Sequence, residues 1–188
     1  MRKTVIVRYG ELALKSRWVR RHFEQRLCEN IELILDGIDH KLERAHGRIF
    51  IDTKAPDEVA KRLVSVPGVV SVSSATKTEA IPRAIRSVAV EEAKKVLSSG
   101  SNFAVLTRRV GRHSFSSQDV NREVGAAILE AVPGTSVNLS TPDHKTFVEV
   151  RGNDSYIFFE VVGGIGGLPA GSQGKVVTLF SGGVNSFL

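Results

Sequence analysis

The sequence lacks most of the features that mark secreted, metal-dependent or membrane proteins. Its 188 residues contain a single cysteine, Cys28, which excludes an internal disulfide and is typical of a protein from a reducing cytoplasm. The five histidines are scattered, and no cysteine or histidine pair has the spacing of zinc ligands. No apolar run approaches the length of a membrane span, and the N-terminus lacks the profile of a signal peptide. We therefore expect a cytoplasmic protein without a metal site.

Positive charge is what the sequence has in excess. It contains 26 lysines and arginines against 20 acidic residues, which gives a net charge of +6 and a pI of about 9.7. This excess favours a polyanionic partner, although a solvated basic surface is the alternative. Two clusters of basic residues stand out along the sequence. The first consists of Lys15, Arg17, Arg20 and Arg21, and the second of Arg108, Arg109, Arg112 and His113.

Hydrophobic periodicity predicts two α+β units, and the first has the order β-α-β-β-α-β. That order is typical of a ferredoxin-like fold. The predicted strands and helices are Lys3–Arg8, Ser16–Leu35, Lys41–Ala45, Arg48–Asp52, a helix that begins at Pro56, and Val69–Ser74. In the second helix Pro56 suits the first turn, and the acidic residues that follow suit the helix dipole.

The second unit is predicted to begin near Thr76. Its elements are a helix over Ile81–Leu97, a strand over Phe103–Thr107, a helix that begins at Ser116, and a hairpin of Thr146–Arg151 and Tyr156–Val161. Ser116 and Asp119 have the spacing of a capping box. The glycine-rich residues 162–171 predict a linker.

Individual residues within these elements allow more than one interpretation. Arg108, Arg109 and Arg112 are predicted in a short loop before a capped helix, where guanidinium groups and helix-terminal amides together suit phosphate. Phe115 in that loop is interpreted as a core anchor rather than as a platform for base stacking. Cys28 is interpreted as a packed structural thiol.

Three glycine-containing motifs resemble nucleotide-binding loops, and only the last has the right context. Gly164-Ile165-Gly166 has Pro169 at the third glycine position of a dinucleotide motif, and no helix follows it. Gly174-Lys175 lacks both the earlier glycine and the following Ser or Thr of a Walker loop. Ser181-Gly182-Gly183 follows an apolar strand pattern, where glycine backbone and free amides favour phosphate.

Several stretches together resemble the tRNA 4-thiouridine synthetase (tRNA sulfurtransferase) family. The resemblance extends along the chain in the family's order, over residues 7–16, 108–117, 122–125, 164–171 and 179–186. It implies an N-terminal ferredoxin-like domain over residues 1–75, a THUMP domain over 76–166, and a linker with the start of a PP-loop ATP pyrophosphatase domain over 167–188.

The resemblance also implies a function. The first two domains of the family hold tRNA by its acceptor end, and the PP-loop domain adenylates a uridine that then receives persulfide sulfur. ATP with Mg²⁺ is the implied cofactor, and a cysteine desulfurase is the implied sulfur donor. A homodimer is a further possibility that the sequence leaves open. The implied ATP-binding residues are Leu179, Phe180, Ser181, Gly182, Gly183, Asn185 and Ser186, and the implied RNA contacts are the two basic clusters above.

Two departures from the family pattern limit this reading. Asn185 stands where the family has aspartate, and the family's catalytic cysteines have no counterpart among these residues. We therefore expect the tRNA-binding region of a thiolation enzyme, with no catalytic residue within this chain. The alternative is a THUMP-type module that presents tRNA to a different modifying enzyme, and a role in thiamine synthesis stays open.

Overall fold

The computed structural model describes residues 2–10, 16–45, 47–175 and 177, and for Arg17 it describes the backbone only. Within these residues nine strands form one sheet, and four helices pack against it. The elements of the first half are β1 (Arg2–Tyr9), α1 (Arg17–Ile34), β2 (His40–Ala45), β3 (Arg48–Thr53), α2 (Pro56–Leu63) and β4 (Val69–Glu79). Those of the second half are α3 (Pro82–Val96), β5 (Asn102–Val110), α4 (Ser117–Ala131), β6 (Ser136–Val137), β7 (His144–Arg151), β8 (Asp154–Phe158) and β9 (Val162–Gly163).

The first half has the predicted ferredoxin-like order. Its strands lie as β2-β3-β1-β4, and every neighbouring pair is antiparallel. α1 and α2 cover one face, where residues such as Val5, Leu27 and Leu63 form a core without exposed surface. Burial of this apolar area is the main stabilising contribution to the half, at about 25 cal/mol per Å².

The second half continues the same sheet in the order β8-β7-β5-β6, with β5 parallel to β7 and β6. α3 and α4 pack on it around a second core that includes Ile85, Phe103 and Ile128. The predicted capping box is confirmed, because the Asp119 amide donates to Ser116 Oγ and the Ser116 amide donates back to the Asp119 carboxylate.

β4 belongs to both halves. It pairs with β1 along most of its length, and from Thr76 to Glu79 it also pairs with β8. The predicted strand Val69–Ser74 is therefore too short, because burial continues through Ala75 and Thr76 where the second partner strand begins. The predicted division after residue 75 falls inside this strand, and as a domain boundary it stays a proposal.

All four helices lie on one face of the sheet, and the sheet curls toward its opposite, helix-free face. A third cluster on this helix-free face contains only strand residues, among them Ile6, Phe50 and Tyr156. The rings of Phe50 and Tyr156 stack with centroids 4.4 Å apart, although β1 and β4 lie between their strands. A flat sheet would hold these strands about 14 Å apart, so the sheet is strongly curled around this cluster.

The predicted linker is wrong at its start. Val162 and Gly163 form β9, which pairs with β4, and the amides of Gly164 and Gly166 donate to carbonyls of the same strand. Pro169 is buried. Glycine lowers strand propensity, but here it permits the close approach of two backbones.

Two other predicted strands differ in length from the structure. β5 extends to Val110, three residues past the prediction, because its parallel partner β7 continues to Arg151. β8 ends at Phe158 instead of Val161.

Candidate nucleic-acid interface

α1 carries the two described side chains of the first basic cluster, Arg20 and Arg21. The helix begins after Ser16, whose Oγ accepts a hydrogen bond from the Val19 amide, and its apolar stripe is buried in the first core. Arg21 is exposed, whereas Arg20 is half-buried with Nε 3.8 Å from Glu24 Oε1. Lys15 and the Arg17 side chain lie outside the described residues.

An aromatic pair that we did not predict stands beside these arginines. Trp18 is 76% exposed, and its ring lies parallel to that of His22 with centroids 6.1 Å apart. The two residues are four apart on a helix and so share a face. The only tryptophan of the sequence, placed next to an arginine and away from the apolar stripe, was the available signal.

Two of the three arginines predicted in a loop, Arg108 and Arg109, are not in one, whereas Arg112 is. Arg108 and Arg109 both lie within β5, because that strand continues to Val110. Successive strand residues face opposite sides of a sheet. Arg109 therefore lies on the helix-covered face and Arg108 on the helix-free face, opposite Glu149 of β7. The structure separates two residues that the sequence places together.

Arg109 joins the start of α4. Its Nε donates to Ser117 Oγ at 3.3 Å, and its guanidinium lies 5.8 Å from the centre of the Phe115 ring. Phe115 packs against the second core, which confirms its interpretation as an anchor. One of the helix-terminal amides that we expected for phosphate, that of Asp119, is occupied, because it donates to Ser116 Oγ in the capping box. Hydrogen bonds from Ser116 hold the pKa of Asp119 below its usual range.

An open groove of about 430 Å³ begins beside this helix start. Arg112, His113 and Phe115 line one side of it, and Gly152 of the β7–β8 turn lies on the other. His113 Nε2 is 2.9 Å from the Gly152 carbonyl oxygen, which fixes the imidazole against the turn. Arg112 is exposed, so this groove has a cationic rim.

Four arginines from four strands meet on the helix-free face, and we call this group the arginine seam. It consists of Arg8, Arg48, Arg108 and Arg151 around the carboxylate of Glu149. Glu149 Oε1 lies 2.6 Å from Arg151 Nε and 3.3 Å from Arg48 Nε. The four arginines are far apart in sequence. The strand order β3-β1-β4-β8-β7-β5 and the strong curl of the sheet bring them together.

Cys28 is a packed thiol, as predicted. It is half-buried against the first core, and burial raises the pKa of this thiol to about 11. A thiol with a raised pKa is a poor nucleophile at neutral pH.

The described residues contain no group of three or more metal-ligating side chains, and no helix among them is long and apolar enough to cross a membrane. The implied ATP-binding residues lie outside the part of the chain that the structure describes. They are Leu179, Phe180, Ser181, Gly182, Gly183, Asn185 and Ser186.

Comparison with known families identifies both halves of the fold. The family model of the ThiI ferredoxin-like domain matches residues 4–73, and that of the THUMP domain matches residues 75–160. The chain therefore contains a ThiI-type ferredoxin-like domain followed by a THUMP domain. The resemblance to the tRNA 4-thiouridine synthetase family is thereby confirmed, and the ferredoxin-like domain precedes the THUMP domain as predicted.

Relatives share both domains along the whole chain. A probable tRNA sulfurtransferase of Methanosarcina mazei is 45% identical over 97% of this chain, which corresponds to 46% of that protein. Of solved structures, PH1313 from Pyrococcus horikoshii is 36% identical with a TM-score of 0.81, over 92% of this chain and 58% of its own. A 4-thiouridine synthetase in complex with RNA and bound ATP is 30% identical with a TM-score of 0.76, over 99% of this chain and 48% of its own. The chain thus spans about half the length of the curated relatives it matches.

Proposed function

We propose that this chain is the tRNA-binding region of an ATP-dependent tRNA uridine thiolation enzyme. The observation that carries this proposal is the succession of a ThiI ferredoxin-like domain and a THUMP domain, in one continuous sheet, with the fold of a synthetase solved on RNA. The RNA-bound relative matches nearly all of this chain, so its N-terminal half and this chain are comparable throughout.

The surface chemistry supports RNA as the partner. Arg21 on α1 and Arg112 beside α4 are exposed cations that can contact phosphate oxygens. The exposed Trp18 and His22 rings offer a flat surface next to Arg21. Unpaired bases stack on such rings, and RNA recognition depends on single-stranded ends of this kind. The acceptor end of tRNA, which combines a helix with an unpaired 3′ end, fits both contacts.

The remaining steps belong to the longer protein. We propose that the segment from Leu179 to Ser186 begins a PP-loop that holds ATP with Mg²⁺, where amides and hydroxyls bind the phosphates. Uridine adenylation would release pyrophosphate. The terminal sulfur of a protein persulfide, loaded by a cysteine desulfurase, would then displace AMP and leave a disulfide to the uridine, which a second thiol of the longer protein would cleave to give the thiolated base and a protein disulfide. A cytoplasmic homodimer is part of this proposal.

The rival is a module that presents tRNA to a different kind of enzyme. Both candidates need the same RNA-binding surface, but only the thiolation enzyme needs the Ser181-Gly182-Gly183 turn. In the longer protein, replacing Gly182 and Gly183 should abolish ATP–pyrophosphate exchange and leave tRNA affinity unchanged. If exchange is absent from the unmodified protein as well, the rival is favoured.

The experiment that tests tRNA binding is a salt titration with charge-reversed variants. Wild-type affinity should fall steeply as salt rises, because bound phosphates release counterions. Arg21→Glu and Arg112→Glu should each weaken binding about tenfold or more, since each removes a cation and adds a repulsive charge. Arg86→Glu, an exposed change on α3 at a residue that does not line the groove beside Arg112, is the matched control and should bind like wild type. If wild type binds tRNA no better at low salt than at high salt, the proposal is wrong.

A further inference from the structure

The arginine seam lies at the junction of the two domains, and among the described residues its arginines outnumber its carboxylates. Arg8 and Arg48 come from the ferredoxin-like half, whereas Arg108, Arg151 and Glu149 come from the THUMP half. Glu149 has a side chain only 5% exposed, and it lies between Arg48 and Arg151, each 13% exposed. Among the described residues, one carboxylate therefore lies beside these four guanidinium groups.

Arg8 and Arg108 form the side of the seam that Glu149 does not pair directly. Arg8 Nη1 donates to Ser73 Oγ at 2.9 Å, and its guanidinium lies 5.0 Å from the centre of the Phe158 ring. Arg108 is exposed at the outer edge, opposite Glu149 in the strand register. Burial and then the charge of Arg48 lower the pKa of Arg8 to about 10, and the charge of Arg108 acts in the same direction. The charge of Glu149 acts in the opposite direction and relieves part of the repulsion between these cations, and a second anion beside Arg8 and Arg108 would relieve more of it.

We propose that the arginine seam binds a backbone phosphate of RNA, with Arg108 as the outer contact and Arg8 behind it. This inference rests on the proposed function and adds a contact on the helix-free face that spans both domains. Guanidinium forks match phosphate oxygens in pairs, and the stacking of Arg8 on Phe158 holds its fork in place. Arg8 and Arg108 belong to different domains. A phosphate that binds both therefore requires the two domains to keep their relative position.

The test compares neutral substitutions in the 188-residue chain by titration with an RNA acceptor minihelix. Arg108→Gln should weaken binding about tenfold, since it removes a charged hydrogen bond. It should also reduce the slope of log affinity against log salt by about one, as expected for one lost phosphate contact. Arg108→Lys keeps the charge and should keep the slope. Arg86→Gln is the matched control and should change neither quantity.

Arg8 requires its own control, because its side chain also packs inside the protein. Ser73→Ala removes the hydrogen bond to Arg8 but leaves its charge, so it should bind RNA like wild type. Arg8→Gln should lose about tenfold, and the double variant Arg8→Gln/Arg108→Gln should lose much less than the product, because both residues hold one phosphate. If the two losses multiply, the residues do not share a phosphate, and the inference is wrong.

The outcomes separate this inference from the proposed function. If wild type fails to bind RNA, the proposed function fails first. If wild type binds and Arg108→Gln matches it in affinity and slope, only the seam inference fails. A second titration uses inorganic phosphate alone, and binding is monitored through the nitrogen-15 NMR resonances of the arginine side chains. Saturation in the millimolar range or above agrees with an RNA contact, whereas saturation at micromolar phosphate without competition by RNA would assign the seam to a free anion and overturn the inference.

Discussion

At the scale of single residues, Glu149 is a buried carboxylate whose stability depends on its arginine partners. Its carboxylate is buried between Arg48 and Arg151 and joins the two domains across the curled sheet. A buried ion pair adds little compared with an apolar replacement, but removal of one partner leaves a buried charge unpaired. Arg151 is two residues from Glu149 on the same face of β7, but nothing in the sequence indicates that Arg48 of β3 reaches them through the curl of the sheet.

We predict that Glu149→Gln lowers the free energy of unfolding by about 3–5 kcal/mol, because it leaves the seam cations without their carboxylate. Urea unfolding followed by far-ultraviolet circular dichroism measures this quantity. Glu123→Gln, an exposed change on α4, is the matched control and should stay within about 0.5 kcal/mol of wild type. Equal stability of the two variants would show that Glu149 has no structural role in the seam.

Cys28 provides a prediction on pH. Its folded pKa of about 11 lies above the ordinary thiol value of 9.0, so the fold favours the neutral thiol. The stabilising contribution is therefore complete below pH 9 and is lost as pH rises through 11. The free energy of unfolding should fall over this range, and Cys28→Ala should show a smaller fall. Urea midpoints at pH 8, 9 and 10.5 test this, and identical pH profiles for the two proteins would contradict it.

At the scale of secondary structure, sequence patterns predicted most helices and strands because each signal is local. The stripe of Phe23, Leu27 and Ile31 identifies α1, and Ser116 with Asp119 identifies the start of α4. The errors lie where a distant strand decides the outcome. β4 and β5 are longer than predicted because β8 and β7 extend alongside them, and β9 forms where Gly164 allows a close approach to β4.

The predictions for the candidate interface also held where the signal was local and failed where tertiary structure decides the position. Sequence clustering predicted RNA contacts at Arg21 and Arg112, and both side chains are exposed, while their role in binding stays a prediction. It misplaced Arg108 and Arg109, because a strand sends adjacent residues to opposite faces. It missed Arg8 and Arg48, since each is isolated in sequence and reaches the seam only through tertiary structure.

The close approach of Gly164 to β4 gives a prediction at this scale. A Cβ at Gly164 would overlap the Val69 carbonyl oxygen, so Gly164→Ala should force the strands apart and destabilise the chain by about 1–3 kcal/mol. Gly163→Ala is the matched control, because a Cβ there meets no described atom within 4 Å. It should stay within about 0.5 kcal/mol of wild type in urea unfolding. Equal loss in both variants would show that general strand propensity, rather than the contact with Val69, sets the requirement for glycine.

At the scale of the whole molecule, the two domains are one structural unit. They share β4, and the stacked Phe50 and Tyr156 rings join them across the curl of the sheet. Domains linked by an exposed segment usually move relative to each other. Here a shared strand and a buried cluster oppose such motion, which suits a protein whose proposed RNA contacts lie on both halves.

We therefore predict that the domains unfold together. Leu63 is fully buried in the first core, so Leu63→Ala should lower stability by about 2–5 kcal/mol. In a single cooperative unit this loss is the same everywhere, since the most protected amides exchange through global unfolding. Amide hydrogen exchange should show equal decreases in β3 of the ferredoxin-like domain and β7 of the THUMP domain. A decrease confined to β3, with β7 protection unchanged, would mean that the THUMP domain keeps its fold while its neighbour opens, and that the shared strand and the aromatic contact across the curl do not couple the halves.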